Sequence, residues 1–357
     1  MRILIATGGS GGHIFPALNV AQELKKEGHE VLFAGALEKS SDIIKNDGFD
    51  VFNLKAQGLT LNSMRSFFIS TTSMLKAIKD SSSVLRAYKP EIVVGFGGYG
   101  AFPVVLVATL LRCPSMIHEQ NVIPGRANRV LARLVDKVAI SFKDTGKYFS
   151  PQKTVLTGCP CRKKTEQNKI ENLRKFNLEE NKFTILVLGG SQGSHRINDE
   201  FLKTIILLKP HLDFQVLHLT GPKDFEEVKE KYKKLPVKSC VLDFLMDMEA
   251  AYSIADLVIS RAGAVTVTEL ATFRIPAILI PYPFAGAHQK ENARQLCVTH
   301  LAQMIEENDL CPLQLKKAIL EYSHKSFDSK VVDQDMSASF LQDGTLRVAR
   351  EVLGLKR

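Results

Sequence analysis

Several short segments of this sequence gather residue types suited to phosphate, sugar and proton chemistry. The first is Gly8-Gly9-Ser10-Gly11-Gly12-His13, which ends an apolar run and opens a helical pattern expected from about Phe15 or Pro16 to Lys26. Glycines let backbone amides turn toward a ligand, and a helix N-terminus adds roughly +0.5 charge, so the turn suits a diphosphate; a tight turn without a ligand is the plainer alternative. His13 closes the turn, and an imidazole there can take a proton near neutral pH or only position an acceptor. The spacing is not GxxxxGK[ST], which argues against a P-loop NTPase.

A second glycine cradle, Gly95 to Gly100, satisfies GxGxxG and has Glu119 nineteen residues further on. A dinucleotide fingerprint belongs on the first strand of its domain, where a different glycine pattern already sits, so this loop reads as a second backbone cradle. His118-Glu119-Gln120-Asn121 is a dense polar cluster at a strand end. In the second half, Gly189-Gly190-Ser191-Gln192-Gly193 repeats the strand, glycine turn, helix arrangement, with Ser191 as an added hydroxyl donor. In SRAGAVTVTELA, Gly263 frees a turn, Thr266 falls in the first helical turn, and Glu269 is a carboxylate able to accept both hydroxyls of a ribose. Taken alone, Glu269 reads more simply as an exposed glutamate near a helix start. The loop Pro281 to Asn292 carries His288 and Gln289, either of which can read sugar hydroxyls or simply face solvent.

The elements that must hold these residues alternate β-branched runs with helical patterns, the signature of parallel sheets wrapped by helices. Strands are expected at Arg2 to Thr7, Glu30 to Gly35, Glu91 to Gly95, Ser115 to His118, Lys137 to Ser141 and Thr154 to Gly158. A second series is expected at Thr184 to Leu188, Phe214 to Leu219, Ser239 to Phe244, Leu257 to Ser260 and Ala277 to Pro281. Cys159 to about Asn168 reads as a linker between them, and ILIATGGSGG is echoed by ILVLGGSQG across it. The expected fold is therefore α/β: two Rossmann-like doubly wound parallel-sheet domains facing across a cleft. Residues 1–162 and 163–337 form the two domains, and a final helix of residues 338–357 packs back on the first.

A length of 357 residues suits two domains, and 45% hydrophobic with 24% charged residues describes a globular chain. No secretory leader is expected, because Gly8 and Gly9 interrupt the first apolar run, and Ala101 to Leu111 is too short to span a bilayer. Six cysteines without CxxC spacing read as reduced thiols rather than a zinc site. A net charge of +9 calls for an anionic partner. Nucleic acid is disfavoured: tryptophan is absent, and no helix-turn-helix, zinc finger or RNP-like motif occurs.

Together GGSGGHIFPAL, YKPEIVVGFGGY, HEQN, GGSQGS, FLMDM, SRAGAVTVTEL and HQKENA, in that order, resemble the GT-B glycosyltransferases. Within them the chain is similar to the family that makes lipid II for bacterial peptidoglycan. That resemblance implies inverting transfer of N-acetylglucosamine from UDP-GlcNAc to lipid I, undecaprenyl-diphospho-N-acetylmuramoyl-pentapeptide. It further implies a peripheral position on the cytoplasmic face of the cell membrane, against anionic lipid, with cell-wall synthesis and division proteins as candidate partners. The donor set it implies is Ser10, Gly11, Gly12, Asn121, Arg162, Ser191, Leu245, Ala264, Val265, Thr266, Val267, Thr268, Glu269 and Gln289. Leu245 meets the uracil through its backbone, Glu269 the ribose and Gln289 the sugar. The acceptor set is His13, Gly97, Gly98 and Tyr99, with the Ser10 to Gly12 turn also beside the acceptor diphosphate. The catalytic set is His13, Glu119 and Asn121. No cofactor or metal is implied, and no Asp-x-Asp motif occurs.

For the membrane contact, Lys55, Arg65, Lys76, Lys79, Arg86 and Lys89 lie among Met64, Phe67, Phe68, Met74, Leu75 and Ile78 at helical spacings. Those apolar residues equally suit a core face. Rival readings are a GT-B enzyme with another acceptor, a UDP-sugar 2-epimerase, a nicotinamide oxidoreductase resting on Gly95 to Gly100, and a non-catalytic nucleic-acid partner.

Overall fold

The computed structural model describes residues 1–38, 40–55, 64–284, 288–324 and 340–355, with side chains omitted for 64–71. It contains two compact units, Met1–Cys161 with Leu341–Arg357, and Arg162–Phe340.

In the first unit, β1 (Arg2–Thr7), β2 (Glu30–Gly35), β3 (Asp50–Asn53), β4 (Ile92–Gly95), β5 (Ser115–Glu119), β6 (Lys137–Ile140) and β7 (Thr154–Leu156) form one sheet. Its order is β3-β2-β1-β4-β5-β6-β7, and every pairing is parallel. Ile3, Leu4, Ile5 and Ala6 of β1 are wholly buried, which is why this strand reads as a continuous apolar run rather than an alternation. Helices α1 (Gly11–Lys26), α2 (Ser41–Asn46), α3 (Met64–Tyr88), α4 (Phe102–Leu110) and α5 (Arg126–Leu131) follow their strands. The C-terminal helix Gly344–Leu353 packs Val348, Ala349 and Val352 into the core beside α1, and Lys137 pairs with Glu351 at 2.6 Å.

The second unit repeats the plan. Strands β8 (Phe183–Leu188), β9 (Phe214–Leu219), β10 (Lys238–Leu242), β11 (Leu257–Ser260), β12 (Ala277–Leu279) and β13 (Ala302–Met304) run in the order β10-β9-β8-β11-β12-β13. Helices α6 (Lys169–Lys175), α7 (His195–Leu208), α8 (Phe225–Tyr232), α9 (Met248–Ile254), α10 (Ala264–Phe273), α11 (His288–Cys297) and α12 (Pro312–His324) accompany them. In each sheet the strand order reverses beside the first strand, between β1 and β4 and between β8 and β11. Ligands in open α/β sheets bind at that switch point.

Two strands were not expected, β3 and β13. Each lies at the edge of its sheet, is four residues or fewer, and lacks the apolar run of an inner strand. Helix α1 starts at Gly11, earlier than expected, and continues through Pro16. Pro16 has no N–H for the carbonyl of Gly12 one turn before it, and Gly12 is exposed, so that carbonyl lies where solvent can reach it. Met64, Arg65, Phe67 and Phe68 of the expected membrane patch, and residues 338–339 and 356–357 of the expected final helix, lie outside the described side chains, and within the described residues that helix is shorter than expected, Gly344–Leu353.

Candidate active site

The first unit has a candidate site at its switch point. The turn after β1 and the turn after β4 interlock: Gly8 N–H donates to the Gly97 carbonyl at 2.9 Å. A Cβ on Gly98, whose φ is +80°, would sit 2.9 Å from the Gly8 Cα, so the two backbones touch only because both residues are glycine. Ser10 caps α1 without a side-chain hydrogen bond, and its carbonyl accepts from the amides of His13 at 3.0 Å and Ile14 at 3.1 Å. The N–H groups of Gly11 and Gly12 thus remain for a ligand at the positive end of the helix. Tyr99, in the turn after β4, is half-exposed.

His13 is half-buried, and its Nδ1 lies 3.2 Å from Gln120 Oε1. The amide nitrogen of Gln120 reaches the Phe96 carbonyl at 3.0 Å and His118 Nδ1 at 3.2 Å, and His118 Nε2 reaches the Gly158 carbonyl at 3.1 Å. Burial pushes the His118 ring down to about 4.

Glu119, expected in the catalytic set, is engaged by groups of its own unit. It is 2% exposed, and both carboxylate oxygens are taken. Oε1 accepts from Asn121 N at 2.9 Å and Asn121 Nδ2 at 3.2 Å; Oε2 accepts from Gly125 N at 3.0 Å and Asn128 Nδ2 at 2.9 Å. The carboxylate staples the loop from Gln120 to Gly125 and gives Asn121 its place.

The second unit has a candidate site of its own. A Cβ on Gly193, at φ +75°, would come 2.0 Å from the Thr220 carbonyl, so the turn after β8 packs directly on the turn after β9. Ser191 stands exposed at the tip of that turn. Helix α10 has Gly263 at its N-cap with no side-chain bond, which leaves the amides of Ala264, Val265 and Thr266 at its open end. Val267 and Thr268, expected among the donor contacts, turn inward. Val267 is wholly buried with its N–H on the Gly263 carbonyl, and the Thr268 hydroxyl donates back to the Ala264 carbonyl at 2.9 Å.

Glu269 is 4% exposed, so it is not an ordinary surface glutamate. Arg162 Nη1 donates to its Oε1 at 2.9 Å and the Tyr252 hydroxyl to its Oε2 at 2.9 Å. Burial raises the carboxyl above its ordinary range, and Arg162 and Tyr252 oppose that rise. Arg162 Nη2 also donates to the Met246 carbonyl at 3.2 Å, tying the loop that carries Leu245 to the same carboxylate. Gln289 Oε1 accepts from the amides of Ala262 at 3.1 Å and Tyr282 at 2.9 Å, which leaves its amino group as the end available to donate.

Three organising residues had not been singled out in the sequence. Arg261 reaches Ser194 Oγ at 2.8 Å, the Ile280 carbonyl at 3.2 Å and the Glu307 carboxylate, gathering the ends of three strands. Its signal was visible as a cation directly after a buried strand. Gln120 lay inside a quoted motif without a role, and Tyr252 had no local signal.

Paired parallel sheets with glycine turns and open helix N-termini at their switch points define a nucleotide-sugar glycosyltransferase of the GT-B fold. Residues 3–140 match the N-terminal domain of glycosyltransferase family 28, and residues 184–347 match its C-terminal domain. A Thermodesulfovibrio yellowstonii protein named UDP-N-acetylglucosamine--N-acetylmuramyl-(pentapeptide) pyrophosphoryl-undecaprenol N-acetylglucosamine transferase is 38% identical over 100% of both chains. A Syntrophus aciditrophicus protein of the same name is 37% identical over 99% of this chain and 97% of its own. The crystal structure of Acinetobacter baumannii MurG superposes with a TM-score of 0.74 and 26% identity, covering 99% of each chain. The chain belongs to the MurG family.

Proposed function

We propose that this protein transfers N-acetylglucosamine from UDP-GlcNAc to pyrophosphoryl-undecaprenol-linked N-acetylmuramyl-pentapeptide, lipid I, giving lipid II. The observation that carries the reading is the 38% identity, over the full length of both chains, with a transferase of that name. The buried Glu269 and the open amides of α10 supply the matching chemistry.

In this reading the second unit holds the donor. Glu269 accepts the ribose hydroxyls, the Leu245 backbone meets the uracil, and Ser191 with the amides of Ala264, Val265 and Thr266 holds the diphosphate. The Gln289 amino group donates to the sugar, and Arg162 orders the carboxylate and the uracil loop. The first unit holds the acceptor diphosphate on the Gly11 and Gly12 amides and on the Gly97, Gly98 and Tyr99 turn. The acceptor hydroxyl attacks C1 of the sugar, its proton passes to His13 Nε2, and the C1–oxygen bond to UDP breaks with inversion. Negative charge gathers on the departing diphosphate, where the open end of α10 stabilises it. Glu119 acts at one remove, by fixing Asn121.

The acceptor's polyprenyl chain requires a peripheral membrane contact, which we assign to the first unit on the cytoplasmic face. Among the described residues no helix is long and apolar enough to cross a membrane. Leu75 on α3 and Leu110 on α4 are 63% and 71% exposed, with Lys76, Lys79 and Arg86 also exposed on α3. Such a mixture of apolar and basic side chains suits anionic lipid.

The test is incubation of purified protein with radiolabelled UDP-GlcNAc and a short-chain lipid I analogue. Label is expected in lipid. Formation of a UDP-linked epimer without lipid labelling would replace the reading with a 2-epimerase.

A further inference from the structure

Gln120 is 1% exposed and has no part in the reaction as proposed, yet it connects His13 to a chain of groups whose hydrogens can be assigned one after another. The chain starts at the Gly158 carbonyl, which can only accept. His118 Nε2, 3.1 Å away, therefore carries a hydrogen. Burial keeps that ring neutral at physiological pH, so its Nδ1 holds a lone pair. Gln120 Nε2 donates to that lone pair at 3.2 Å and to the Phe96 carbonyl at 3.0 Å, and these two acceptors fix which end of the amide faces which way. Gln120 Oε1 is consequently the end that meets His13 Nδ1, at 3.2 Å. An amide oxygen only accepts, so Nδ1 is the protonated nitrogen of neutral His13.

We infer that Gln120 is a positioning residue that sets the tautomer of His13, so that the imidazole presents Nε2 with its lone pair free. This rests on His13 being the base. Among the described residues Nε2 has no hydrogen-bond partner, and the ring is held close to the Gly97 turn: a Cβ on Gly97 would lie 3.2 Å from its Nδ1 and Cε1. The Nδ1–H to Oε1 bond persists once Nε2 has taken the acceptor's proton, so the ring need not move during transfer. Of the neighbouring ionisable groups, neutral His118 meets Gln120 directly, and Glu119 meets Asn128 beside the same turn. Gln120 therefore orients His13 without bringing a charge to it, unlike the aspartate of a serine-protease triad.

The test uses the full chain with ring-nitrogen NMR of 15N-histidine, the nine histidines being assigned with the aid of His13→Gln and His118→Gln. At neutral pH, His13 is expected with its proton on Nδ1 and His118 with its proton on Nε2. In Gln120→Met the His13 proton is expected to move toward Nε2, and kcat to fall roughly ten- to hundredfold, while KM for UDP-GlcNAc changes by less than about twofold. In a His13→Gln background the Gln120→Met change is expected to add no further loss. A wild-type His13 protonated on Nε2, an unchanged tautomer in Gln120→Met, or additive losses in the double variant would overturn the inference. Should Gln120→Met fail to fold, the wild-type spectrum alone decides. The base reading fails separately, if His13→Gln itself costs less than about tenfold.

Discussion

Arg162 and Tyr252 grip the two oxygens of Glu269 from different sides, each at 2.9 Å, so a carboxylate that is 4% exposed is held by one hydrogen bond per oxygen. An ionised carboxylate has about four acceptor positions, and the remaining one on each oxygen matches the two neighbouring hydroxyls of a ribose. In the proposed donor site those two positions receive the ribose, and removing Arg162 or Tyr252 leaves a poorly compensated buried charge.

It follows that Arg162→Ala weakens UDP binding by about 1.5–3 kcal/mol, the range for hydrogen bonds to a charged group. Titration calorimetry with UDP measures this. Glu269→Gln is expected to lose at least as much, because one oxygen becomes a donor facing donors. Unchanged UDP affinity in both variants would remove this carboxylate from the nucleotide site.

Glu119 makes the opposite prediction. Its four accepted hydrogen bonds hold a loop, so Glu119→Gln is expected to destabilise the first unit by about 1.5–3 kcal/mol in urea unfolding while UDP affinity stays as in wild type. Full stability combined with a large fall in kcat would mean that the carboxylate meets substrate after all.

The contrast between these glutamates marks how far sequence reading reaches here. The inner strands were legible because strands buried on both faces are continuous apolar runs, and the glycine turns because their spacing places them at strand ends. Edge strands β3 and β13 lack that signal. The two glutamates have equally suggestive neighbours in sequence, HEQN and TVTEL. What separates them is which groups arrive from elsewhere in the chain: Asn128 and the Gly125 amide at Glu119, Arg162 and Tyr252 at Glu269. Val267 and Thr268 entered the donor set through the resemblance, and their burial follows from helical periodicity, which turns them to the core.

Two buried histidines give the fold an acid limit. Burial pushes His118 down to about 4 and His218 down to about 3, whereas an unfolded histidine titrates near 6.5. Because the folded values lie lower, the unfolded chain takes up these protons first. Their contribution is complete above about pH 6.5 and is lost as pH falls through about 4 for His118 and about 3 for His218. At about 1.4 kcal/mol per pH unit, the loss is on the order of a few kcal/mol per ring. Urea midpoints are expected to decline already between about pH 6.5 and 5.5, above the carboxylate range, and His218→Gln to flatten the decline in the second unit. A level profile across that interval would contradict the neutral buried rings.

Gln289 allows the sugar contact to be separated from the nucleotide contact. Its Oε1 is committed to the amides of Ala262 and Tyr282, so only its amino group is left to donate to a sugar hydroxyl. Gln289→Glu keeps the acceptor for both amides and replaces the donor with a second acceptor. KM for UDP-GlcNAc is expected to rise about tenfold while the affinity for UDP, which lacks the sugar, stays close to wild type. If Gln289→Glu leaves KM unchanged and His288→Ala raises it instead, the sugar is read by the neighbouring histidine, and the Gln289 side chain serves only to join the loops after β11 and β12.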